Sequence, residues 1–413
     1  MNKLKGIFGS RDKSRYTIGF FASMLMVLIM LVPDLNTIGT ETMILVSTLW
    51  IPGLTLIKIP NSINKVLTLL FAYLCIIVLY KGLGVSTAWW DIAAGYFGCM
   101  MCAYISVESL CSLSQKQLKI LQWTIYVVSV LAMVYVSIQG MRNLATMDLE
   151  EAISQEAASY GSSVIILSGI SLIGLLYSRR KIIKLLYLIS IILSLYVTFV
   201  IMQRGTNVVM GVLLLAAILF FRFFKISKPG SMLFVVTIFL AIAYYSGWIS
   251  AFLDMVIGIV PSERLQIRFA AIKSVLDTGD ALDAGSSMTT RSELMILSWN
   301  TFKESLSSVL FGIGDHRGYG APIGNHSEII DSLARYGIFW FFILIAYFVK
   351  LLQWWYRILP SKSSIRYQVC CIFIIYIARN IFGNAMTSAI SILLFLYLPL
   401  VLVSSTKLST LRH

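Results

Sequence analysis

Three residues combine a reactive side chain with a position from which it could act: Arg204, Arg291 and His326. Arg204 lies in Met202-Gln203-Arg204-Gly205-Thr206, directly after a long apolar run. Arg291 follows Thr290 where the spacing predicts a helix start, and His326 sits at another, in Gly324-Asn325-His326-Ser327-Glu328. Arginine suits a diphosphate because its planar fork donates two parallel hydrogen bonds and stays charged when partly buried. A histidine at a helix N-terminus has its imidazolium form disfavoured by the macrodipole, which leaves a neutral imidazole able to accept a proton near pH 7. Each also has a plainer role. Arg204 can snorkel toward phosphate headgroups, Arg291 can be simply solvated, and His326, one of 3 histidines, can be an ordinary surface residue. A cation at a positive helix end is disfavoured, so the placing of Arg291 points weakly to an anionic partner.

Other polar groups leave alternatives open. Asp34 and Glu41, near the first outer loop, could supply a carboxylate base. Asp277, Asp280 and Asp283 suggest either a divalent cation or a mobile acidic loop, and no Asp-x-Asp pair suited to a nucleotide-sugar metal occurs outside. Arg379, Asn380 and Asn384 either line a sugar path or end a helix. Cys99-x-x-Cys102 falls within an apolar helix, where packing competes with a redox or metal role.

The elements that must position these groups are set by composition. The chain is 58% hydrophobic and only 13% charged, with mean hydropathy +0.84. A soluble domain carries about 25% charged residues, so this chain cannot cover a water-facing globule. Apolar runs of about 17–25 residues recur throughout, the length that crosses a hydrocarbon core about 30 Å thick. Backbone amides in lipid must be satisfied within their own segment, so these runs are read as helices, and no alternating pattern suggests a barrel. The fold class is therefore all-α, a polytopic membrane protein of about 12 transmembrane helices.

The predicted spans are Thr17–Val32, Ile38–Ile57, Val66–Tyr80, Trp89–Val107, Leu118–Ile138, Tyr160–Tyr177, Leu185–Met202, Asn207–Phe224, Met232–Ile249, Gly337–Val349, Tyr367–Ile381 and Ala385–Val403. Thr17–Val32 is read as a retained first helix, not a removed signal. The net charge of +14 could suggest nucleic acid, but the basic residues form short blocks between apolar runs, as membrane topology requires. Lys3, Lys5, Arg11, Lys13 and Arg15 place the N-terminus inside. Counted alternately from there, roughly 22 of the 33 basic residues fall inside, with only Asp12 and Glu108 among the acids. That asymmetry persists to the tail, so both termini are expected in the cytoplasm. Three units follow: 1–249 with nine spans, a large outer segment 250–336, and 337–413 with the last three. All 6 cysteines lie in or beside spans, so no disulfide framework is indicated in the outer segment.

The outer segment reads as helical. Ser262 can cap a helix whose Leu265, Phe269, Ile272 and Leu276 fall on one face. After Asp280–Ser287, Thr290-x-x-Glu293 has capping-box spacing and predicts a second helix, with Leu294, Leu297 and Leu306 apolar. Asn325 and Glu328 have the same spacing and predict a third, carrying Ile329, Ile330 and Leu333 into the tenth span. A shorter acidic stretch, Gln139–Ser159, is read as a lid or solvated loop.

Gly312-Ile313-Gly314, followed by Asn325-His326-Ser327-Glu328-Ile329-Ile330-Asp331-Ser332-Leu333-Ala334-Arg335-Tyr336-Gly337-Ile338, resembles the signature of the O-antigen polymerase and O-antigen ligase superfamily. Arg204-Gly205 after a span, and Thr290-Arg291-Ser292 with Trp299 downstream, resemble its other pieces. One departure is Ser327, where many members carry Asn. The resemblance implies an inverting membrane glycosyltransferase acting without metal or cofactor on undecaprenyl-diphosphate-linked glycans, in the bacterial cytoplasmic membrane. Arg204 and Arg291 would clamp the diphosphate, and His326 would take the acceptor's proton. A chain-length regulator protein is an expected partner; nucleic acid is not.

Repeat-unit polymerisation is the leading expectation. An O-antigen ligase, moving a finished glycan to lipid A–core, would use the same His/Arg set. A flippase of lipid-linked sugars would instead need charged or broken helices at mid-membrane depth, whereas the polar chemistry here collects outside the spans.

Overall fold

The computed structural model describes residues 20–21, 24–25, 27–28, 31, 113–146, 149–202, 205–224, 245–259, 263–278, 286–314, 322–324, 327–358, 364–381 and 388–405. Predicted spans two to four, most of the ninth, Asp34, Glu41 and the Cys99-x-x-Cys102 pair lie outside the described residues. Among those described, every regular element is a helix.

The elements are α1 (Gln115–Thr146), α2 (Leu149–Tyr177), α3 (Lys181–Tyr196) with a π-helical turn Val197–Met202, and α4 (Gly205–Phe223). Then come α5 (Trp248–Ile259), α6 (Glu263–Thr278), α7 (Ser286–Lys303) and α8 (Leu306–Phe311). The chain ends with α9 (Glu328–Ile358), α10 (Ile365–Ile381), α11 (Ser388–Ile392), a π-helical turn Leu393–Tyr397 and α12 (Leu398–Ser405). Among the described residues, Gln115–Ile138, Lys181–Ile201 and Glu328–Ala346 are long and apolar enough to cross a membrane. Ser163–Tyr177, Asn207–Phe223, Trp248–Ile259 and Leu393–Leu402 are shorter apolar helical stretches. Of the first predicted span, Phe20, Phe21, Met24, Leu25, Val27, Leu28 and Leu31 are helical, with Val27 and Leu31 in the core.

α3 shows why water is the wrong solvent for this bundle. Its inward side carries Tyr187, Ser190, Ile191 and Ser194, while Ile182, Leu185, Leu188, Ile189 and Ile192 are exposed. A helix of a soluble protein places its apolar stripe inward. Here the outward face is the more apolar one, and small or polar residues bring helices together, as in lipid. Ser171 Oγ donates to Ser190 Oγ at 3.0 Å, joining α2 to α3. Gln122 Nε2 donates to the Tyr187 hydroxyl at 3.2 Å, and the Tyr126 hydroxyl donates to the Leu186 carbonyl at 2.6 Å, joining α1 to α3. At Gly174 an added Cβ would lie 2.6 Å from the Tyr187 ring, so the close approach of α2 and α3 depends on that glycine.

α2, α4 and α10 pack mutually. α4 and α10 are antiparallel: Gln368 Nε2 donates to the Ile218 carbonyl at 3.0 Å, and the rings of Phe221 and Tyr367 stack with centroids 5.6 Å apart. At one end of this pair, Val208 packs with Leu253, Leu265 and Phe269 of the α5–α6 hairpin.

The expected face of α6 is observed: Leu265 and Phe269 are buried, with Ile272 and Leu276 packed beside them. The second outer helix begins earlier than predicted. α7 starts at Ser286, so Thr290 lies inside it and Arg291 falls in its second turn. Gly285-Ser286-Ser287 already offers a favourable entry, because serine competes well at helix starts. Its inward side carries Ser298, Thr301 and Phe302, whereas Leu297 is exposed; Leu306 belongs to α8 and is also exposed. The macrodipole argument for Arg291 weakens accordingly, since that field fades within the first turn. Asp277 belongs to the last turn of α6 rather than to an acidic loop, and it accepts the Ser250 hydroxyl at 2.9 Å. Asp280 and Asp283 lie outside the described residues.

Candidate active site

The helix entering at Glu328 is capped by Ser327, two residues beyond the predicted Asn325. Ser327 Oγ accepts from the Ile330 amide at 3.4 Å, and the Ser327 carbonyl accepts from Asp331 N at 2.8 Å. The reciprocal bond comes from Asp331, whose Oδ2 accepts from Ser327 N at 2.8 Å. Ser and Asp here do the work that Ser and Glu do in a capping box. Glu328 is instead the first helical residue; its carbonyl accepts from the Ser332 hydroxyl.

Asp331 extends this cap into a buried bridge. Ser298 Oγ of α7 donates to Asp331 Oδ1 at 2.6 Å and accepts from Gly324 N at 2.8 Å. Ser298 and Ser327 are fully buried and Asp331 is 1% exposed, so each bond is made where an orphaned group would cost most. The Thr301 hydroxyl adds a 2.5 Å bond to the Pro322 carbonyl. Phe302, Ile323, Leu333 and Ala334 fill the space between α7, this loop and α9.

Glycines allow the approach. An added Cβ at Gly324 would sit 2.3 Å from the Leu294 carbonyl oxygen, which is backbone and cannot swing away. α9 breaks at Gly337, whose φ of 75° is not helical. The two carbonyls before that break take hydrogen bonds from the Gly-x-Gly segment: Ile313 N donates to Ala334 O at 2.9 Å and Gly314 N to Arg335 O at 3.0 Å. Gly312 has φ 71°, and a Cβ there would lie 2.1 Å from Arg335 O. The Gly-x-Gly and the later Gly-Ile of the sequence are thus one backbone clasp.

Of the three residues singled out by their chemistry, Arg204 and His326 lie outside the described residues. Arg204 falls in the two-residue junction between the π-helical turn ending at Met202 and α4 starting at Gly205. His326 and Asn325 are the two residues between Gly324 and Ser327, both of whose amides are pinned by the Ser298–Asp331 bridge. Arg291 is placed in α7 by its backbone. Position 291 precedes Leu294 by three residues and Ser298 by seven, which puts all three on one stripe of the helix. That stripe is the one whose Ser298 meets the Gly324 loop. The bridge residues Ser298 and Asp331 went unnoticed in the sequence, where only a short polar residue on a helix face and a carboxylate one turn inside another were visible. Trp299 is exposed beside the bridge, 5.3 Å from the Phe302 ring and 5.3 Å from Lys303 Nζ.

No family model and no curated protein matches this chain.

Proposed function

We propose that this protein polymerises undecaprenyl-diphosphate-linked oligosaccharide repeat units into a surface polysaccharide, by inverting glycosyl transfer at the outer face of the bacterial cytoplasmic membrane. The acceptor hydroxyl oxygen attacks the anomeric carbon of the donor from the face opposite the diphosphate. A new glycosidic C–O bond forms, the bond to the diphosphate oxygen breaks, and its electron pair leaves with the diphosphate. His326 receives the hydroxyl proton, while Arg204 and Arg291 neutralise the leaving charge. In this reading twelve helices span the membrane, both termini are cytoplasmic, residues 250–336 form the outer cap, and a chain-length regulator sets when extension stops.

The observation that supports it most is the Ser298–Asp331 bridge. It ties the stripe of α7 that carries position 291 to the loop whose next two residues are Asn325 and His326. A buried carboxylate and a buried hydroxyl thus hold the two amides that flank this dipeptide, and Gly324 lets its loop press against α7.

Deleting the gene and resolving surface glycans by length tests the proposal. Loss of long chains, with single repeat units still attached, is the expected outcome. Loss of all attachment would instead make the protein a ligase to lipid A–core. Loss of outward-facing lipid-linked units would make it a flippase.

A further inference from the structure

Two asparagines on facing helices carry amide atoms with nothing to bond. Asn207, in the first turn of α4, is fully buried, and among the described residues neither its Oδ1 nor its Nδ2 has a partner. Asn380, in the last turn of α10, is 7% exposed; its Nδ2 donates to the Tyr376 carbonyl at 2.8 Å, and its Oδ1 has no partner among the described residues.

The register of α4 against α10 brings them level. Ile218 and Gln368 are bonded across this antiparallel pair. Asn207 is eleven residues back from Ile218, and Arg379 is eleven on from Gln368. Eleven residues are close to three full turns, about 16 Å along the axis, so each returns to the face its reference residue occupies. Arg379, 7% exposed, therefore stands at the height of Asn207 on the side toward α4, and Asn380 follows it by one residue, about 100° further round the helix. This end of the pair is the one against which α5 and α6 pack through Val208.

We infer that Asn207 and Asn380, with Arg379 beside them, form a subsite for a hydroxyl-bearing sugar residue beneath the α5–α6 hairpin. Hydrogen-bond polarity selects that ligand class. A phosphate group supplies acceptors only, so it would leave both asparagine carbonyl oxygens orphaned in a low-dielectric site. A sugar diol both donates and accepts: it gives each Oδ1 a donor and presents oxygens to Asn207 Nδ2 and to the Arg379 guanidinium. In sequence, Asn207 follows Gly205 by two residues and position 204 by three. The identity of the sugar as part of a lipid-linked glycan rests on the polymerase reading above.

The test uses the full-length protein in phosphatidylethanolamine–phosphatidylglycerol nanodiscs. The probes are the oligosaccharide repeat unit released by mild acid from the host's own lipid-linked pool, and inorganic diphosphate. Asn207→Leu and Asn380→Leu, which keep the size of the side chain, are each expected to weaken oligosaccharide binding at least tenfold and to leave diphosphate affinity within twofold. Unchanged oligosaccharide affinity in folded variants overturns the subsite, as does an equal loss for both probes or a wild-type protein that binds diphosphate alone. Should a variant fail to accumulate, hydrogen exchange of the wild-type protein decides. Slower exchange in the first turn of α4 upon adding oligosaccharide supports the subsite, and no change there removes it. The two readings fail separately: a deletion strain with normal long chains sinks the polymerase whatever the binding data show, and unchanged affinity in these variants sinks only the subsite.

Discussion

Ser298 and Asp331 are joined by a 2.6 Å hydrogen bond across 33 residues of sequence, and both are almost wholly shielded from solvent. The same serine oxygen receives Gly324 N, and the same carboxylate receives Ser327 N. Two amides that flank Asn325-His326 are therefore held by one side-chain pair.

Ser298→Ala strips Asp331 of a donor and Gly324 N of its acceptor at once. Leaving buried groups unsatisfied costs about 1–3 kcal/mol each. A lower unfolding midpoint in detergent is expected, together with slower chain extension in cells. Extension at the wild-type rate in a folded Ser298→Ala protein would show that the bridge does not position the dipeptide.

Gly312→Ala and Gly337→Ala should both prevent accumulation of the protein. Each adds a Cβ within 2.3 Å of a backbone carbonyl oxygen, and each forces an alanine to a φ above 70°. Gly211→Ala is the control, because nothing lies within 4 Å of its added Cβ and its backbone is helical. Alanine there is neutral or stabilising by about 0.5–1 kcal/mol. Membrane-fraction immunoblots and thermal unfolding compare the three.

The α5–α6 hairpin is held by packing far more than by charge. Phe269, 4% exposed, sits among Leu253, Leu265 and Val208, and Phe269→Ala should cost about 3–5 kcal/mol. Lys273 Nζ approaches Asp254 Oδ1 at 2.6 Å, but the two side chains are 28% and 59% exposed. Such a pair is worth roughly 0–1 kcal/mol, so Asp254→Asn should move the melting temperature little. A larger drop for Asp254→Asn than for Phe269→Ala would reverse that ranking.

His326→Ala and Arg291→Lys probe the chemistry itself. Lysine keeps the charge at 291 and loses the two-pronged donor geometry, so chain extension should fall on the order of 10²–10³-fold, as when a donor to developing charge is removed. Both proteins should insert and accumulate normally. Wild-type polymer length from either one removes that residue from the mechanism.

Much of the helical framework was legible because apolar length alone dictates it. Leu118–Ile138 and Leu185–Met202 reappear within a few residues as Gln115–Ile138 and Lys181–Ile201. The face of α6 was legible for the same reason, since Leu265, Phe269, Ile272 and Leu276 repeat at the helical period. Helix starts were not. α7 starts at Ser286 and α9 is capped by Ser327, ahead of Thr290 and beyond Asn325, and local spacing cannot rank rival caps that differ by tenths of a kcal/mol. The polar bridge was illegible for a different reason. Ser298 and Asp331 meet only because Gly324 lets a loop backbone press against α7, a contact fixed by tertiary packing and not by any local pattern.

The break in α9 has a mechanical corollary. Its carbonyls at Ala334 and Arg335 are engaged by Ile313 and Gly314, so straightening that helix would require those two amides to let go. Bending of α9 at Gly337 and withdrawal of the Gly312–Gly314 strap are consequently a single movement. The strap thus holds the segment before Gly337, whose Asp331 also reaches α7 and the Ser327 amide.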